Sequence, residues 1–295
     1  MAPIRPLSSK GVILNAKETE TMEHKSLDVT FAVSKSGDPS LFQRNFAASP
    51  GLEGLPSDRL IIQEGFSSAS VAYNDAIRKA QTDLIVFSHQ DVYYPEQWLS
   101  DLERALKLLE ASDPNWGVLG CWGVNNRGLE AGFLHSVGLG VLGAPFAAPV
   151  AIDTLDEFIL ILRKSSGLHF DETLPYFHFY GTDICMTARK QNKNCYAISA
   201  FTVHNTSYGY LAPEFFACYW HTKKKWKEFL PIQTPCIRVT RWNEDLIVRK
   251  VKKFCFTVMG RDQKPVPRIE DPRSVLQFAP TQPERYMTNL KDSNR

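Results

Sequence analysis

The sequence predicts an α/β fold with a doubly wound, mostly parallel sheet, and three observations carry that expectation. Short apolar runs with β-branched residues recur at 29–33, 60–62 and 84–87, and such runs mark strands buried on both faces. Segments of helical spacing separate them, one opened by Asp38-Pro39 and one striped by Val71, Ala72, Ala76, Ile77 and Ala80. The third run ends abruptly in His89-Gln90-Asp91, and ligands of open α/β sheets lie just beyond the carboxyl ends of the strands.

Later elements follow in order. Pro95 opens a helix carrying Trp98, Leu99, Leu102, Ala105, Leu106 and Leu109, stopped near Asp113-Pro114, and Gly117 to Cys121 is a glycine-bounded strand. The run Gly138-Leu139-Gly140-Val141-Leu142-Gly143 superficially suggests a phosphate loop. It lacks the GK[ST] ending and the spacing of G-x-G-x-x-G, so a hairpin or loop is expected. Strands at 149–153 and 158–163 flank the acidic break Asp156-Glu157. Asp183 opens a helix that ends at the turn 191–194, strands follow at 195–198 and 201–203, and an aromatic helix beyond Pro213 runs into Lys223-Lys224-Lys225.

Composition bounds the function. With 295 residues the chain can bury a full core, and a formal charge of +2 implies no polyanion partner. No nucleic-acid motif accompanies the basic residues. The six cysteines show no CxxC pair or zinc-like spacing, and several sit in apolar runs as buried free thiols would in a reducing compartment. Neither a signal peptide nor an apolar stretch of about 18 residues is found, so a cytoplasmic protein is expected. The organisation expected is a flexible N-terminal arm over 1–26, one catalytic domain over 27–230, and a basic C-terminal extension over 231–295 that includes Arg249 to Lys253.

The ordered motifs resemble the family 2-type glycosyltransferases of the GT-A fold, a nucleotide-sugar-dependent family that includes rhamnosyltransferase-like proteins. The resemblance spans roughly 27–226. Gln63-Glu64-Gly65 stands at the family's acidic DDGS-like turn, Ala72 to Ile77 resembles the helix written with Arg-Asn-x-Gly, and His89-Gln90-Asp91 occupies the DxD position. Asp153 to Glu157 with Arg163 resembles the acceptor-side strand pair, Phe170-Asp171-Glu172 matches the family's FDE, and Gly181-Thr182-Asp183 is similar to the GED-containing helix, with His204 after it. The chain departs from the pattern at His89, which replaces the first DxD acid, at Thr182, which replaces the Glu of Glu-Asp, and at the DDGS turn, which keeps only Glu64.

The resemblance implies a Rossmann-like, mostly parallel central sheet flanked by helices. It implies a metal-dependent, inverting transfer of a sugar from a UDP-, GDP- or dTDP-type nucleotide-sugar to a hydroxyl of a glycan or lipid-linked acceptor. Mn2+ or Mg2+ would be held by Asp91 and His204, with an imidazole in the set favouring Mn2+. Asp183 would be the general base; it would equally serve as a helix N-cap. Ser34, Lys35, Glu64, His89 and Gln90 would line the nucleotide pocket, His89 touching ribose or phosphate or else capping its strand. Asp153, Asp156, Glu157 and Arg163 would meet donor sugar or acceptor. The cluster of Lys223 to Lys225 with Trp220 and Trp226 reads as a lid over the diphosphate, a peripheral contact with anionic lipid, or a solvated helix face. Two other readings stand beside the transferase: a sugar nucleotidyltransferase, whose glycine- and lysine-rich loop after the first strand is lacking, and a catalytically silent GT-A-like domain that binds a nucleotide or glycan.

Overall fold

A computed structural model describes residues 27–207, 212–259 and 266–279; the expected N-terminal arm over 1–26 lies outside them. The first half of the chain forms β1 (Val29–Ser34), α1 (Pro39–Arg44), β2 (Leu60–Gln63), α2 (Ala69–Lys79), β3 (Leu84–His89), β4 (Val92–Tyr93), α3 (Trp98–Ser112), β5 (Val118–Gly120), β6 (Trp122–Val124), β7 (Glu130–Ser136) and β8 (Gly140–Gly143). The second half forms β9 (Val150–Ile152), β10 (Thr154–Leu155), β11 (Ile159–Arg163), α4 (Tyr180–Lys190), β12 (Cys195–Ala197), β13 (Thr202–His204), α5 (Pro213–Lys225) and α6 (Glu244–Val258).

A central seven-stranded sheet runs β2-β1-β3-β11-β5-β12-β9. Its first three strands are parallel, as the alternation of strands and helices predicts. Beyond β3 the sheet is mixed: β11 is antiparallel to both β3 and β5, β12 is parallel to β5, and β9 closes the edge antiparallel. A second sheet, β10-β6-β7-β13-β4 with β8 on β7, sits beside it.

Alternation along the central strands separates two cores. Phe31, Val33, Val86, Leu119, Ile159 and Ile161 pack on one face with α3, while Ala32, Ile85, Phe87, Val118, Leu160 and Leu162 pack on the other with α2, α4 and α5. Successive side chains point to opposite faces, and both faces are covered, which is why these strands read as unbroken apolar runs. Each large side chain so buried contributes about 1.5–3 kcal/mol.

Local signals explain the helix starts. Asp38 caps α1 by accepting from Ser40 N, and Ser68 caps α2 by accepting from Val71 N. α3 begins at Trp98, three residues later than Pro95 suggested. α4 begins at Tyr180, so Asp183 lies inside its first turn and does not open it; Phe179, at a left-handed φ of 65°, makes the entry. The glycine-rich run forms the β7–β8 hairpin, as its spacing suggested. There Gly143 comes so close to Gly132 that an added Cβ would lie 2.0 Å from the Gly132 carbonyl oxygen.

The extension beyond Pro231 folds back onto the domain. Ile232, Ile237, Val239 and Leu246 are buried in the same core as α5, and Thr154 Oγ1 donates to the Gln233 carbonyl at 2.7 Å. The segment 266–279 returns to β4 and β13, where Ile269, Val275 and Leu276 pack on Tyr93, Phe133, Phe201 and Val203.

Candidate functional site

The carboxyl ends of β2, β1 and β3 lie side by side, because parallel pairing sets Ser34 opposite both Gln63 and His89. Four of the predicted nucleotide-pocket residues extend from this edge. Lys35 Nζ lies 2.6 Å from Glu64 Oε1. Gln90 donates through Nε2 to the Ser36 carbonyl at 2.6 Å and accepts from Ser36 N at 3.2 Å, tying the loop after β1 to the end of β3. The edge is therefore a continuous polar rim.

One step further along the sheet, His89 and Asp91 meet His204 from β13. β13 reaches this point because it pairs antiparallel with β4, His204 opposite Val92. One ligand atom from each of the three side chains lies within 4.8 Å of the others. Asp91 Oδ1 is 3.9 Å from His89 Nδ1 and 3.7 Å from His204 Nε2. These separations exceed a hydrogen bond, so the three atoms face a shared space.

The tautomer of His89 is fixed from behind. The Tyr180 hydroxyl donates to the Glu157 carbonyl at 2.8 Å, so it accepts from His89 Nε2 at 2.7 Å. That leaves Nδ1 as the lone-pair nitrogen, on the side of Asp91. Burial also pushes the His89 imidazole down to about 4, the Asp91 carboxylate opposing, which keeps it neutral near pH 7. His204 is held by its ring stacked on Phe158 at 4.9 Å. Two imidazole nitrogens and a 7% exposed carboxylate make a donor set that fits a divalent transition-type ion.

Arg268, from the returning segment, places its guanidinium 3.6 Å from Asp91 Oδ2. No sequence pattern announced it; Asn205 brings it in by pairing with Ile269 through both its amide groups, at 2.9 Å each.

Asp183 is buried within the first turn of α4. Its Oδ1 accepts from Trp226 Nε1 at 2.7 Å and lies 2.8 Å from Lys225 Nζ, which also reaches Oδ2 at 2.9 Å. Burial raises its pKa, with Lys225 and Trp226 opposing. Lys225 also pairs with Asp171 at 2.7 Å. Burial works upward on the Asp171 carboxyl too, but hydrogen bonds from Lys225 and Thr173 outweigh it and hold this acid below the usual carboxylate range. So the matched FDE and GED-like segments are joined by one lysine. Asn74, in the segment likened to Arg-Asn-x-Gly, anchors the same loop: it pairs with Phe170 N and O at 2.9 and 2.8 Å.

The predicted acceptor residues divide. Asp156 and Glu157 line a cleft with Phe179, Thr182, Phe215 and Cys236, and burial, with Asp156 adding to it, raises the Glu157 carboxyl well above its usual value. Asp153 and Arg163 are not brought to it. Asp153 is taken by Arg189, near the far end of α4, at 2.9 Å and by Asn126 N at 2.6 Å. Arg163 sits opposite Leu84, at the start of β3, while His89 is at its end. It stacks on Trp116 at 4.3 Å and pairs with Glu110. Because β11 runs antiparallel to β3, its last residue falls at the edge opposite the cluster. At that edge Arg163 braces β11 against α3.

Lys223 and Lys224, with Trp220, Lys227 and Arg241, line an open groove on the outer face of α5, whereas Trp226 is buried against Asp183. All six cysteines are free; Cys121, Cys185, Cys195 and Cys218 are buried, and Cys236 and Cys255 are exposed.

No family model matches the chain. It is 31% identical over 126 residues to a curated protein of Fuscovulum blasticum described as ATP synthase subunits region ORF 6, a match that covers 41% of this chain and 50% of the relative. The chain thus spans about half the length of that relative. Among solved structures it is similar to S. aureus TarS 1-349 in complex with UDP-GlcNAc, with a TM-score of 0.47 and 14% identity over 88% of this chain and 77% of that one. It is also similar to the mannosyltransferase PcManGT from Pyrobaculum calidifontis in complex with GDP-Man and Mn2+, with a TM-score of 0.42 and 12% identity over 90% and 79%. A third is GalNAc-T7 with UDP, GalNAc and Mn2+, with a TM-score of 0.47 and 8% identity over 69% and 50%.

Proposed function

We propose that this protein is a metal-dependent glycosyltransferase of GT-A type that moves a hexosyl or deoxyhexosyl group from a nucleotide-sugar to a hydroxyl of a glycan or lipid-linked acceptor. The observation that carries the reading is the convergence of His89, Asp91 and His204 beside the polar rim of Ser34, Lys35, Glu64 and Gln90. A nucleotide on the rim would bring its diphosphate to the three ligands, with Arg268 as a further cation. His89, Asp91 and His204 would hold the ion, Mn2+ ahead of Mg2+ because two of the three donors are imidazoles. When bound, such an ion neutralises the charge of a leaving diphosphate.

Asp183 is the carboxylate we assign as general base: it takes the proton of the acceptor hydroxyl as that oxygen attacks the anomeric carbon and the nucleoside diphosphate departs. A single base and a single displacement invert the anomeric centre. Burial favours this role by making the carboxylate more basic. Lys225 and Trp226 cover both of its oxygens, so the role requires the end of α5 to withdraw when substrates bind. Asp156 and Glu157, in the cleft with Thr182, are the acceptor contacts we retain. Polysaccharide assembly on the cytoplasmic side of a membrane is the setting this chemistry suits.

The covered carboxylate favours one second reading, a GT-A-like domain that binds nucleotide or glycan without turnover. A thermal-shift panel of UDP-, GDP-, dTDP- and CMP-sugars with and without Mn2+ tests the first. A ligand that binds only the native state raises the melting temperature. The expected result is a shift for one nucleotide class that needs the metal and disappears in Asp91→Ala. A shift independent of metal would remove the metal centre from the reading. Metal-dependent binding without transfer or hydrolysis would leave the silent domain.

A further inference from the structure

The helix α6 carries an apolar face that nothing in the described fold covers. Ile247, Val248, Val251, Phe254, Val258 and Met259 are between 50 and 70% exposed. At 3.6 residues per turn these six, with Cys255 among them, fall within one arc of about 140°. Leu246, the one buried residue of the helix among those whose side chains are described, lies on the opposite side and fixes α6 to the body. The apolar arc therefore faces outward. Lys252 borders it on one side and Lys250 on the other, with Arg249 and Lys253 behind. Trp242, 73% exposed, stands just before the helix.

Charge marks the same region. Between 220 and 258 the chain has ten lysines and arginines against three acids, although its overall net charge is only +2. Of the three acids, Asp245 pairs with Arg238 at 3.3 Å, Glu244 accepts a hydrogen bond from Thr240, and Glu228 lies among the lysines of the groove on α5. Lys250 and Lys252 on α6 are exposed, and Lys223, Lys224, Lys227 and Arg241 line the groove with Trp220 and Glu228.

We infer that α6 is an interfacial helix that seats the protein on an anionic lipid bilayer, its apolar arc entering the acyl boundary and its lysine borders meeting the headgroups. A strongly amphipathic helix with low net hydrophobicity and basic margins is the pattern such binding requires. A second copy of the chain fits less well, since a two-fold contact would set the lysine borders against each other. The base of the helix is tied to the body: Lys223 Nζ reaches the Arg241 carbonyl at 2.8 Å, and Arg249 donates to the Cys236 carbonyl. Cys236 also lines the cleft of Asp156, Glu157 and Thr182, so docking would bring that cleft near the bilayer. This last consequence rests on the transferase reading and would favour a lipid-linked acceptor; the bilayer contact itself does not depend on it.

The test is flotation of the full chain with phosphatidylcholine vesicles, with and without phosphatidylglycerol, in the absence of donor and metal. Expected is binding to the anionic vesicles only, weakened by salt. Phe254→Asp or Val251→Asp should abolish it with an unchanged melting temperature, since both positions are exposed. Lys250→Gln with Lys252→Gln should weaken it roughly 25-fold, about fivefold per charge removed. Absence of anionic binding, or binding that survives Val251→Asp, would overturn the proposal. So would a dimer in light scattering that Val251→Asp dissolves, which would give the face to a second copy. Because no nucleotide is present, a failed vesicle assay leaves the nucleotide thermal-shift result standing, and the reverse also holds.

Discussion

His89 Nε2 and the Tyr180 hydroxyl lie 2.7 Å apart, and the onward bond from Tyr180 to the Glu157 carbonyl gives the pair its direction. The tyrosine therefore selects which imidazole nitrogen faces Asp91. Hydrogen-bonded partners of metal ligands typically change affinity 10–100-fold when removed. Tyr180→Phe keeps the ring and its edge contact with Tyr73 but removes the lock. Mn2+ affinity, read from the free-ion EPR signal, should fall by roughly 10–100-fold, with a stability loss of about 1–3 kcal/mol from the unpaired polar groups. Unchanged Mn2+ affinity would show that the tyrosine does not orient a ligand.

Ion choice should follow the donor at position 89. Carboxylates suit Mg2+ and imidazoles suit later metals, and His89 stands where the resembling family has an acid. In His89→Asp the ratio of Mg2+ to Mn2+ affinity, measured by calorimetric competition, should move towards Mg2+ by about tenfold or more. A ratio that does not change would place His89 outside the ion's donor set.

Acid stability offers an independent check on the same side chain. In the folded chain the imidazole is pushed down to about 4 by burial, against about 6.5 when unfolded. Between those values the unfolded state holds the extra proton, so the stability that neutral His89 permits is full above pH 6.5 and drains away as pH falls towards 4. Urea unfolding of the metal-free protein should show this decline, and His89→Gln should lessen its slope by on the order of 1 kcal/mol per pH unit at most. Parallel profiles for the two proteins would mean that the imidazole titrates normally.

What was legible in the sequence depended on range. β1, β2, β3 and α2 could be read because their apolar spacing is local and both sheet faces are buried. His89, Asp91 and His204 could be found because each ends or follows an apolar run. Tyr180 and Arg268 could not, since they join the cluster only through contacts 91 or more residues away in the chain. The edge at which Arg163 sits was illegible for a related reason. A strand's composition does not encode its direction, so the residue at its end could not be assigned to one edge of the sheet until β11 was seen to run against β3. The apolar arc of α6 is hidden in the sequence because lysines interrupt it and only the helical wheel gathers it.

Lys225 joins two carboxylates of opposite behaviour, and its removal should show both. Asp183 is 1% exposed, and its pKa is raised by burial against the pull of Lys225 and Trp226; Asp171 is held low chiefly by its bond from Lys225. In Lys225→Met the Asp183 carboxylate would be left buried with only Trp226, a loss of about 3 kcal/mol at neutral pH. A group with a raised folded pKa is most destabilising above that pKa and is relieved on protonation. A group with a lowered one stabilises above its unfolded pKa, and in the variant Asp171, left with its bonds from Thr173, does so less. Both effects act in the same direction: the deficit of the variant should be largest near pH 7 and shrink as pH falls through the carboxylate range. Lys225→Arg, which retains a cation, should keep most of the stability. Denaturation of the three proteins at neutral and acidic pH makes the comparison. A deficit that is the same at both would mean that Lys225 contributes through the packing of its alkyl chain, and would leave Asp183 without the electrostatic latch described above.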